Sequence, residues 1–361
     1  MQYPADLNIG CQSSEDDNER FDEEHLVVGV MVERPKLDTS SLSGENPSSG
    51  RRFSAAAVIP LYNGGRYIEA ALRSVLAQTI PPDEIIVVND GSTDDGPAIV
   101  ATFAETLPVT ILTKPNGGQS SARNMGVAHA RSDLIAFLDQ DDIWYPQHIA
   151  ALSRPFEDDE RLGVVYSSLD EIDGAGELRT KAVHNQNASN HPKPNLAECL
   201  RTDMHILPTA AIVRRSAIEA VGGFDERLSG YEDDDLFLRI LQAGYSHSYL
   251  ATPLGQWRKH ADSSFHSPRM DRSRLIYAKK LYAMFPEHRQ IIDGRFFGAA
   301  RRQLYLAIKC NNRDLARQYY AESTSYLGRL PFGRRLVGYG ELFSRVARGY
   351  LERRSAKERH D

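Results

Sequence analysis

Three carboxylates stand close together at positions 139, 141 and 142, directly after a short apolar run. The run, residues 134–138, reads LIAFL and continues as DQDDIWYP. A continuous apolar segment of this length is typical of a strand buried in a parallel sheet, whose carboxyl edge binds ligands. Crowded carboxylates repel one another unless a cation lies among them, and Mg²⁺ and Mn²⁺ prefer oxygen ligands. Asp139, Asp141 and Asp142 thus indicate a metal site; the alternative is an acidic turn with one Asp capping a helix that begins near residues 144–146.

A second acidic cluster, residues 232–235, reads EDDD and begins a segment with apolar residues at helical spacing. The macrodipole of a helix favours negative charge in its first turn. Capping and dipole compensation are therefore sufficient to explain this cluster, unless a further observation assigns it a chemical role.

Two predicted β-strands, residues 55–60 and 84–88, flank a predicted helix over residues 67–78. In such a β-α-β unit the loops after both strands meet at one edge of the sheet. There Asp90 would accept hydrogen bonds from a uracil or a ribose, and Gly91 would let the backbone approach the ligand. The alternative is that residues 90–92 form only a tight turn.

A third predicted strand, residues 109–112, is followed by two glycines and by a predicted helix over residues 120–130. The free N–H groups of a helix N-terminus bind anions. Arg123, one turn into this helix, is expected at the same edge as Asp90 and Asp141. The alternative for Arg123 is an ordinary salt bridge.

The order and spacing of these motifs resemble the nucleotide-binding half of glycosyltransferase family 2. The resemblance covers residue 53 to about residue 260 and rests on VIPLYNGGRYIEAALRSVLAQT, EIIVVNDGSTD and NGGQSSARNMGVAHARSDLIAFLDQDDIW. It implies an α/β GT-A fold, with a Rossmann-like, mixed, mostly parallel sheet flanked by helices, and a nucleotide-diphosphate sugar as donor, with a UDP-sugar favoured. One departure is Asn89, where many members carry an acidic residue.

The resemblance also implies roles for individual residues. Asp141 is the implied principal ligand of Mn²⁺ or Mg²⁺, with Asp139 and His260 as further ligands. Within the ED motif formed by Glu232 and Asp233, Asp233 is the implied general base, and inverting transfer needs one such base opposite the leaving group. The implied nucleotide-sugar contacts are Pro60, Tyr62, Asn63, Asp90, Gly118, Arg123, Asp139 and Arg258.

The order of Trp257 and Arg258 favours transfer of a single sugar over polymerisation, because the QxxRW pattern of processive polymerases is absent. The expected function is inverting, metal-dependent transfer of one sugar to a glycan or lipid-linked acceptor in cell-surface polysaccharide or glycoconjugate synthesis. Two alternatives stay open. One is a sugar-nucleotide-binding or scaffold protein of the same fold, and the other is a nucleotidyltransferase, although the LYNGGRY loop lacks the charge expected of that class.

The rest of the chain divides into two contrasting regions. Residues 1–52 form an acidic leader expected to be largely disordered, except for the apolar segment 26–32, and residues 53–267 form the predicted catalytic domain. Residues 268–361 form a basic region with predicted helices over 273–285, 296–309 and 314–326.

Large apolar residues at spacings of three and four mark residues 332–350 as an amphipathic helix surrounded by arginines. Such a helix binds an anionic membrane, where a lipid-linked acceptor is presented. The alternative is packing on the catalytic domain or in a homo-oligomer. No nucleic-acid recognition module accompanies the arginines, so nucleic acid is not an expected partner.

Composition sets the remaining limits. The net charge is −6, three scattered cysteines occupy no metal or disulfide spacing, and no apolar run approaches the length of a membrane span. These features favour a cytoplasmic protein, peripheral on the inner face of the membrane if the amphipathic helix binds lipid.

Overall fold

The computed structural model describes residues 53–104, 108–186, 191–260 and 269–358. The predicted acidic leader, with its apolar segment 26–32, lies outside these residues.

Four parallel strands form the first half of the sheet, in the order β3-β2-β1-β4. They are β1 (Ala55–Leu61), β2 (Glu84–Asn89), β3 (Val109–Thr113) and β4 (Leu134–Phe137). The helices that connect them are α1 (Gly65–Leu76), α2 (Gly96–Ala104) and α3 (Gln119–His129). Parallel strands joined by helices place the loops after β1, β2 and β4 at one edge, as the β-α-β pattern predicts.

The second half of the sheet continues from β4 in the order β8-β6-β9-β5, with β7 paired to β6. Its strands are β5 (Ile143–Trp144), β6 (Leu162–Asp173), β7 (Leu178–Thr180), β8 (Ala211–Arg214) and β9 (Ser246–Lys259). Strand β8 runs antiparallel to β4 and β6, whereas β6 and β9 are parallel. The sheet is therefore mixed, as predicted.

The alternative in which an Asp caps a helix that begins near residues 144–146 is wrong. Ile143 and Trp144 instead pair with β9, and the next helix begins at His148. The reason is tertiary: Trp144 is buried, and its indole N–H donates to the Thr209 carbonyl at 2.9 Å. The indole also stacks on the His148 ring at 4.4 Å.

Short helices separate the strands of the second half, and long ones follow β9. The short helices are α4 (His148–Ser153), α5 (Val183–Gln186), α6 (Leu196–Arg201), α7 (Arg215–Ala220) and α8 (Glu232–Gln242). The long helices are α9 (Arg269–Met284), α10 (Arg289–Lys309), α11 (Arg313–Arg329) and α12 (Phe332–Glu358). Single 3₁₀ turns lie at Arg154–Glu157, Pro208–Ala210 and Pro286–His288.

Two hydrophobic clusters cover the two faces of the sheet, because successive strand residues point to opposite sides. Ile59 belongs to the cluster beneath α1 and α4, whereas its neighbour Val58 belongs to the other. This second cluster extends from Phe137 on β4 to Phe296 on α10 and Leu342 on α12. The C-terminal helices therefore share one continuous core with the sheet. Within the described residues, no helix is long and apolar enough to cross a bilayer.

Candidate active site

The acidic turn after β4 contains more carboxylate groups than the neighbouring cationic side chains can neutralise. Asp142 is buried and accepts a hydrogen bond from the Arg258 backbone N–H at 2.8 Å. Burial and the charges of Asp141 and Asp139 raise its pKa well above the usual range. Burial and the charge of Asp139 likewise raise the pKa of Asp141, against the hydrogen bond from His260. A cation placed among these oxygens would relieve both effects.

Asp141 and His260 are the two predicted metal ligands that the structure brings together. The Asp141 Oδ2 and His260 Nε2 atoms lie 2.8 Å apart, close to the roughly 3 Å between neighbouring ligands of an octahedral ion with bonds of about 2.1 Å. The predicted third ligand, Asp139, is paired with Arg123 instead. Among the described residues no group of three or more His, Cys, Asp or Glu side chains is arranged to hold a metal ion. The separation of the pair is therefore compatible with two neighbouring ligands of one ion, and further ligands would have to come from outside the described residues.

Arg258, which lies on β9, holds the acidic turn in place through hydrogen bonds. Besides its backbone bond to Asp142, its Nε donates to the Asp141 carbonyl at 2.8 Å and its Nη1 to the Asp173 carbonyl at 3.1 Å. The guanidinium also lies over the Tyr67 ring at 4.9 Å, and the same ring lies 5.0 Å from the His260 ring. Arg258 therefore orients the turn in addition to any contact with a ligand.

Asp90, at the end of β2, organises the loop before α3. Its two oxygens accept hydrogen bonds from the backbone N–H of Gly117 at 2.9 Å and of Gly118 at 2.8 Å. Lys114 Nζ lies 2.7 Å from the same carboxylate. Gly118 has φ +87°, a conformation that favours glycine. The buried carboxylate thus fixes the N-terminus of α3 at the ligand-binding edge.

The loop after β1 is tied to both neighbouring loops. Tyr62 donates its backbone N–H to Gln140 Oε1 at 2.8 Å, and Gln140 Nε2 donates to the Tyr62 carbonyl at 3.1 Å. Asn63 Oδ1 accepts from the Thr93 backbone N–H at 2.8 Å. Pro60 lies on β1 opposite Val88. These bonds assemble the loops after β1, β2 and β4 into one edge.

Arg123 connects the two acidic clusters. Its buried guanidinium lies 2.6 Å from Asp139 and 3.4 Å from Glu232. Although burial disfavours the charged guanidinium, Asp139 and Glu232 raise the pKa of Arg123 above its usual value. Segments more than ninety positions apart in sequence thus meet on one side chain.

Three of the four acids at the start of α8 are bound by other side chains. Glu232 accepts bonds from Gln119, Arg123 and the Gly230 backbone N–H, the last at 2.6 Å. Asp234 accepts hydrogen bonds from the Met204 backbone N–H at 2.6 Å, from the Tyr277 hydroxyl at 2.6 Å and from Arg295 Nη2 at 2.7 Å. Asp235 pairs with Arg239 at 2.7 Å and with Lys280 at 2.6 Å.

Asp233 differs from its three neighbours. Within the described residues its carboxylate accepts only the backbone N–H of Asp234, at 2.8 Å, and it is partly exposed. Burial and the charges of Glu232 and Asp234 raise its pKa well above the usual range, against the opposing effect of Arg123. A carboxylate with a raised pKa, and with one oxygen that accepts no hydrogen bond from the described residues, is suited to accept a proton from a ligand.

Several supporting residues were missed by the sequence analysis. Lys114 directly follows β3, so its place at the edge near Asp90 was accessible from the strand pattern. Thr209, whose Oγ1 accepts the Asp139 backbone N–H at 3.1 Å, lies 70 positions away and carries no local signal. The pairing of Arg123 with Glu232 likewise depends on the tertiary fold.

A mixed sheet that presents the loops after β1, β2 and β4, an acidic turn and a second acidic cluster at one edge has the GT-A architecture. The fold matches S. aureus TarS 1–349 in complex with UDP-GlcNAc, with a TM-score of 0.61, 17% identity, and coverage of 85% of this chain and 92% of that one. The Glycosyl transferase family 2 model matches residues 56–222. Residues 56–222 are therefore similar to glycosyltransferase family 2.

Curated relatives agree with this assignment. The chain is 40% identical over 119 residues to an uncharacterized glycosyltransferase of Nostoc sp., a match that covers 32% of this chain and 37% of the relative. It is 29% identical over 232 residues to the hyaluronan synthase of Pasteurella multocida, covering 64% of this chain and 23% of that enzyme. The matches therefore span less than two fifths of either relative.

Proposed function

We propose that this protein is an inverting, metal-dependent glycosyltransferase that moves one sugar from a UDP-sugar to a hydroxyl group of a glycan or lipid-linked acceptor. The observation that carries the proposal is the position of Arg123, which holds the acidic turn and the second acidic cluster against each other. Donor-binding and proton-accepting groups then belong to one site.

In the proposed donor site the nucleotide lies along the loops after β1, β2 and β3. The family resemblance assigns the contacts with the nucleotide to Pro60, Tyr62, Asn63, Asp90 and Gly118. The loops are rigidly bonded to one another, which supports a preformed pocket. The structure of TarS 1–349 in complex with UDP-GlcNAc supports a UDP-sugar as the donor class.

Asp141 and His260 are the proposed protein ligands of Mn²⁺ or Mg²⁺. When bound, such an ion neutralises charge on the diphosphate as the glycosidic bond to the leaving group breaks. Asp139, paired with Arg123, lies next to this position, and Arg258 fixes the turn that presents Asp141.

Asp233 is the proposed general base. It takes the proton from the acceptor hydroxyl while that oxygen bonds to the anomeric carbon, and the nucleoside diphosphate leaves from the opposite face with the bonding electron pair. The product has inverted configuration. Glu232 is assigned to hold Arg123 and the start of α8 in this arrangement.

Donor binding and donor turnover test the proposal separately. A panel of nucleoside diphosphates and their sugars is compared by thermal shift with and without Mn²⁺, because a ligand that binds the folded state raises the melting temperature. We expect a metal-dependent shift with uridine compounds and release of UDP from one UDP-sugar. Binding without UDP release would favour the scaffold alternative, and pyrophosphate release from a nucleoside triphosphate would favour a nucleotidyltransferase.

The outer face of α12 supports a second proposal, that the protein docks on an anionic membrane surface that presents a lipid-linked acceptor. Phe332, Leu336, Tyr339 and Phe343 follow one another at spacings of four, three and four, and are 74%, 58%, 45% and 76% exposed. Leu342, which lies about a quarter turn around α12 from this stripe, is buried and packs inward. Residues 289–349 contain twelve Arg or Lys and four Asp or Glu, which complements anionic lipid.

Flotation with vesicles tests this surface. We expect the protein to float with vesicles rich in anionic lipid and not with neutral vesicles, and Phe332→Ser combined with Phe343→Ser to abolish flotation. Tyr320→Ser serves as the matched control, since Tyr320 is also exposed but belongs to α11 and not to the stripe on α12. Wild-type protein that stays unbound but forms a dimer, lost in the double variant, would assign the stripe to a homo-oligomer.

A further inference from the structure

One face of α9 lies along the segment that leads into the second acidic cluster. Ser273 Oγ accepts the Ser229 backbone N–H at 2.8 Å. Lys280 Nζ lies 2.7 Å from Asp225 and 2.6 Å from Asp235. Because residues three or four apart share one face of a helix, α9 contacts both ends of this segment at once.

Tyr277, between those two residues, contacts the start of α8 directly. Its hydroxyl donates to Asp234 Oδ2 at 2.6 Å, and its ring stacks on Tyr231 with centroids 5.4 Å apart. Tyr231 precedes α8 and has φ +63°. A left-handed backbone at a bulky residue is strained, and it persists only where the surroundings impose it. Tyr277 is fully buried and supplies part of that constraint.

Arg295 of α10 completes the contact with Asp234. Its Nη2 lies 2.7 Å from Asp234 Oδ2, and it also pairs with Asp203. The Arg295 guanidinium lies 5.3 Å from the Tyr277 ring centroid. Asp234, the direct neighbour of Asp233, is therefore held by two side chains from the C-terminal helices.

We propose that Tyr277 and Arg295 are positioning residues of the transfer reaction: they hold the first turn of α8 so that Asp233 faces the acceptor, and they neutralise Asp234 beside it. The inference rests on the proposed function of Asp233. It makes the C-terminal helices part of the catalytic machinery, although their residues are far from the donor loops in sequence.

The charge balance around Asp233 gives the proposal a specific signature. The charged groups that face Asp233 are Glu232 and Asp234 on its own helix and Arg123 from α3. Without Arg295 the charge of Asp234 is uncompensated, which raises the pKa of Asp233 further. A base must be deprotonated to act, so the acid limb of the pH profile of kcat moves to higher pH.

The chain contains a matched control for these two side chains. Tyr282 on α9 donates to the buried Asp293 at 2.6 Å, and Arg329 lies 2.7 Å from the same carboxylate. This Tyr-Asp-Arg arrangement resembles that of Tyr277, Asp234 and Arg295 but lies entirely among α9, α10 and α11. Tyr282→Phe and Arg329→Gln therefore remove equivalent bonds without touching α8.

The experiment compares Tyr277→Phe and Arg295→Gln with these controls by steady-state kinetics over pH, well below each melting temperature. We expect kcat to fall about 10- to 100-fold, the range for a small misplacement of a reacting group, with the donor KM unchanged and the acid limb at higher pH. Arg295→Lys should restore most of kcat and return the limb toward its original pH. The controls should keep wild-type kcat and the original limb.

Amide hydrogen exchange separates failure of this inference from failure of the proposed function. Exchange at residues 231–236 should accelerate in Tyr277→Phe and Arg295→Gln and not in the controls. If it does not, or if both pairs of variants lower kcat equally with no movement of the acid limb, the inference is overturned. If the wild-type protein transfers no sugar from any donor, the proposed function fails and the catalytic role of Tyr277 and Arg295 fails with it, whatever exchange shows.

Discussion

The two acidic clusters of the site are neutralised in different ways. In the second cluster, Glu232, Asp234 and Asp235 are matched by Arg123, Arg295, Arg239 and Lys280. In the first cluster Arg123 also pairs with Asp139, but Arg258 directs its side chain to backbone carbonyls rather than to the carboxylates of Asp141 and Asp142. The first cluster is left short of positive charge, whereas the second is balanced by the protein itself.

This difference indicates different tasks. A cluster short of positive charge is suited to receive a cation from solution, because that cation lowers the cost of crowding carboxylates. A balanced cluster with one acid left without a side-chain partner is suited to proton transfer, because its structure does not depend on that acid. Asp233 occupies this position in the second cluster.

Asp233→Asn should have the largest effect on the reaction. The amide keeps the shape of the side chain and cannot accept the proton, so transfer should fall about 10²- to 10⁴-fold, the usual contribution of a general base. Donor affinity, measured by calorimetry, should stay within about twofold. Asp314→Asn, a change at an exposed acid of α11, is the control. Ordinary turnover in Asp233→Asn would remove its proposed role.

Arg123→Met should have the largest effect on stability, because it breaks the contact between the clusters. It leaves Asp139 and Glu232 without their shared cation, and removing one partner of a buried ion pair costs about 3–5 kcal/mol. The free energy of unfolding in urea measures the loss. Arg73→Met, which breaks an exposed pair with Glu69, should cost less than about 1 kcal/mol. Equal losses of unfolding free energy in both variants would show that the ion pairs of Arg123 stabilise the protein no more than an exposed ion pair does.

Asp141→Ala should weaken donor binding only when the metal ion is present. We expect Mn²⁺-dependent donor affinity to fall by at least about 10- to 100-fold, the range already seen when a residue that merely orients a metal ligand is lost. Donor affinity in EDTA should be unchanged. Asp173→Ala, which removes a nearby, partly exposed carboxylate paired with Arg179, provides the comparison. Calorimetric titrations that are identical with and without Asp141 would exclude it as a ligand.

Asp142→Asn should have the smallest effect and depend on pH. Because the pKa of Asp142 is raised in the folded state, the unfolded chain loses this proton first as pH rises above its ordinary value of about 3.9. Wild-type stability should therefore decline with rising pH until Asp142 ionises in the folded state, and the substitution should remove that contribution, worth about 1.4 kcal/mol per pH unit. Urea midpoints from pH 4 to pH 8 in EDTA test this. Parallel curves for the two proteins would contradict it.

The residues whose placement follows from local pattern were predictable, and those placed by distant contacts were not. Asp90 and Asp141 follow apolar strands, so the β-α-β rule predicts that their loops share an edge, and the structure confirms this. Trp144 was predicted wrongly because its partners, Thr209 and β9, follow it by more than sixty positions. Which acid of the second cluster lacks a side-chain partner among the described residues could not be predicted, since that depends on α9 and α10.

The core shared by the sheet and the C-terminal helices restricts how such a protein can diversify. Phe137 beneath the acidic turn and Phe296 on α10 belong to one hydrophobic cluster. A chimaera that joined this sheet to the helices of a relative would have to match that buried surface and the partners of Asp234 together. Acceptor preference is therefore expected to evolve more readily by change in the surface loops than by exchange of whole helical modules.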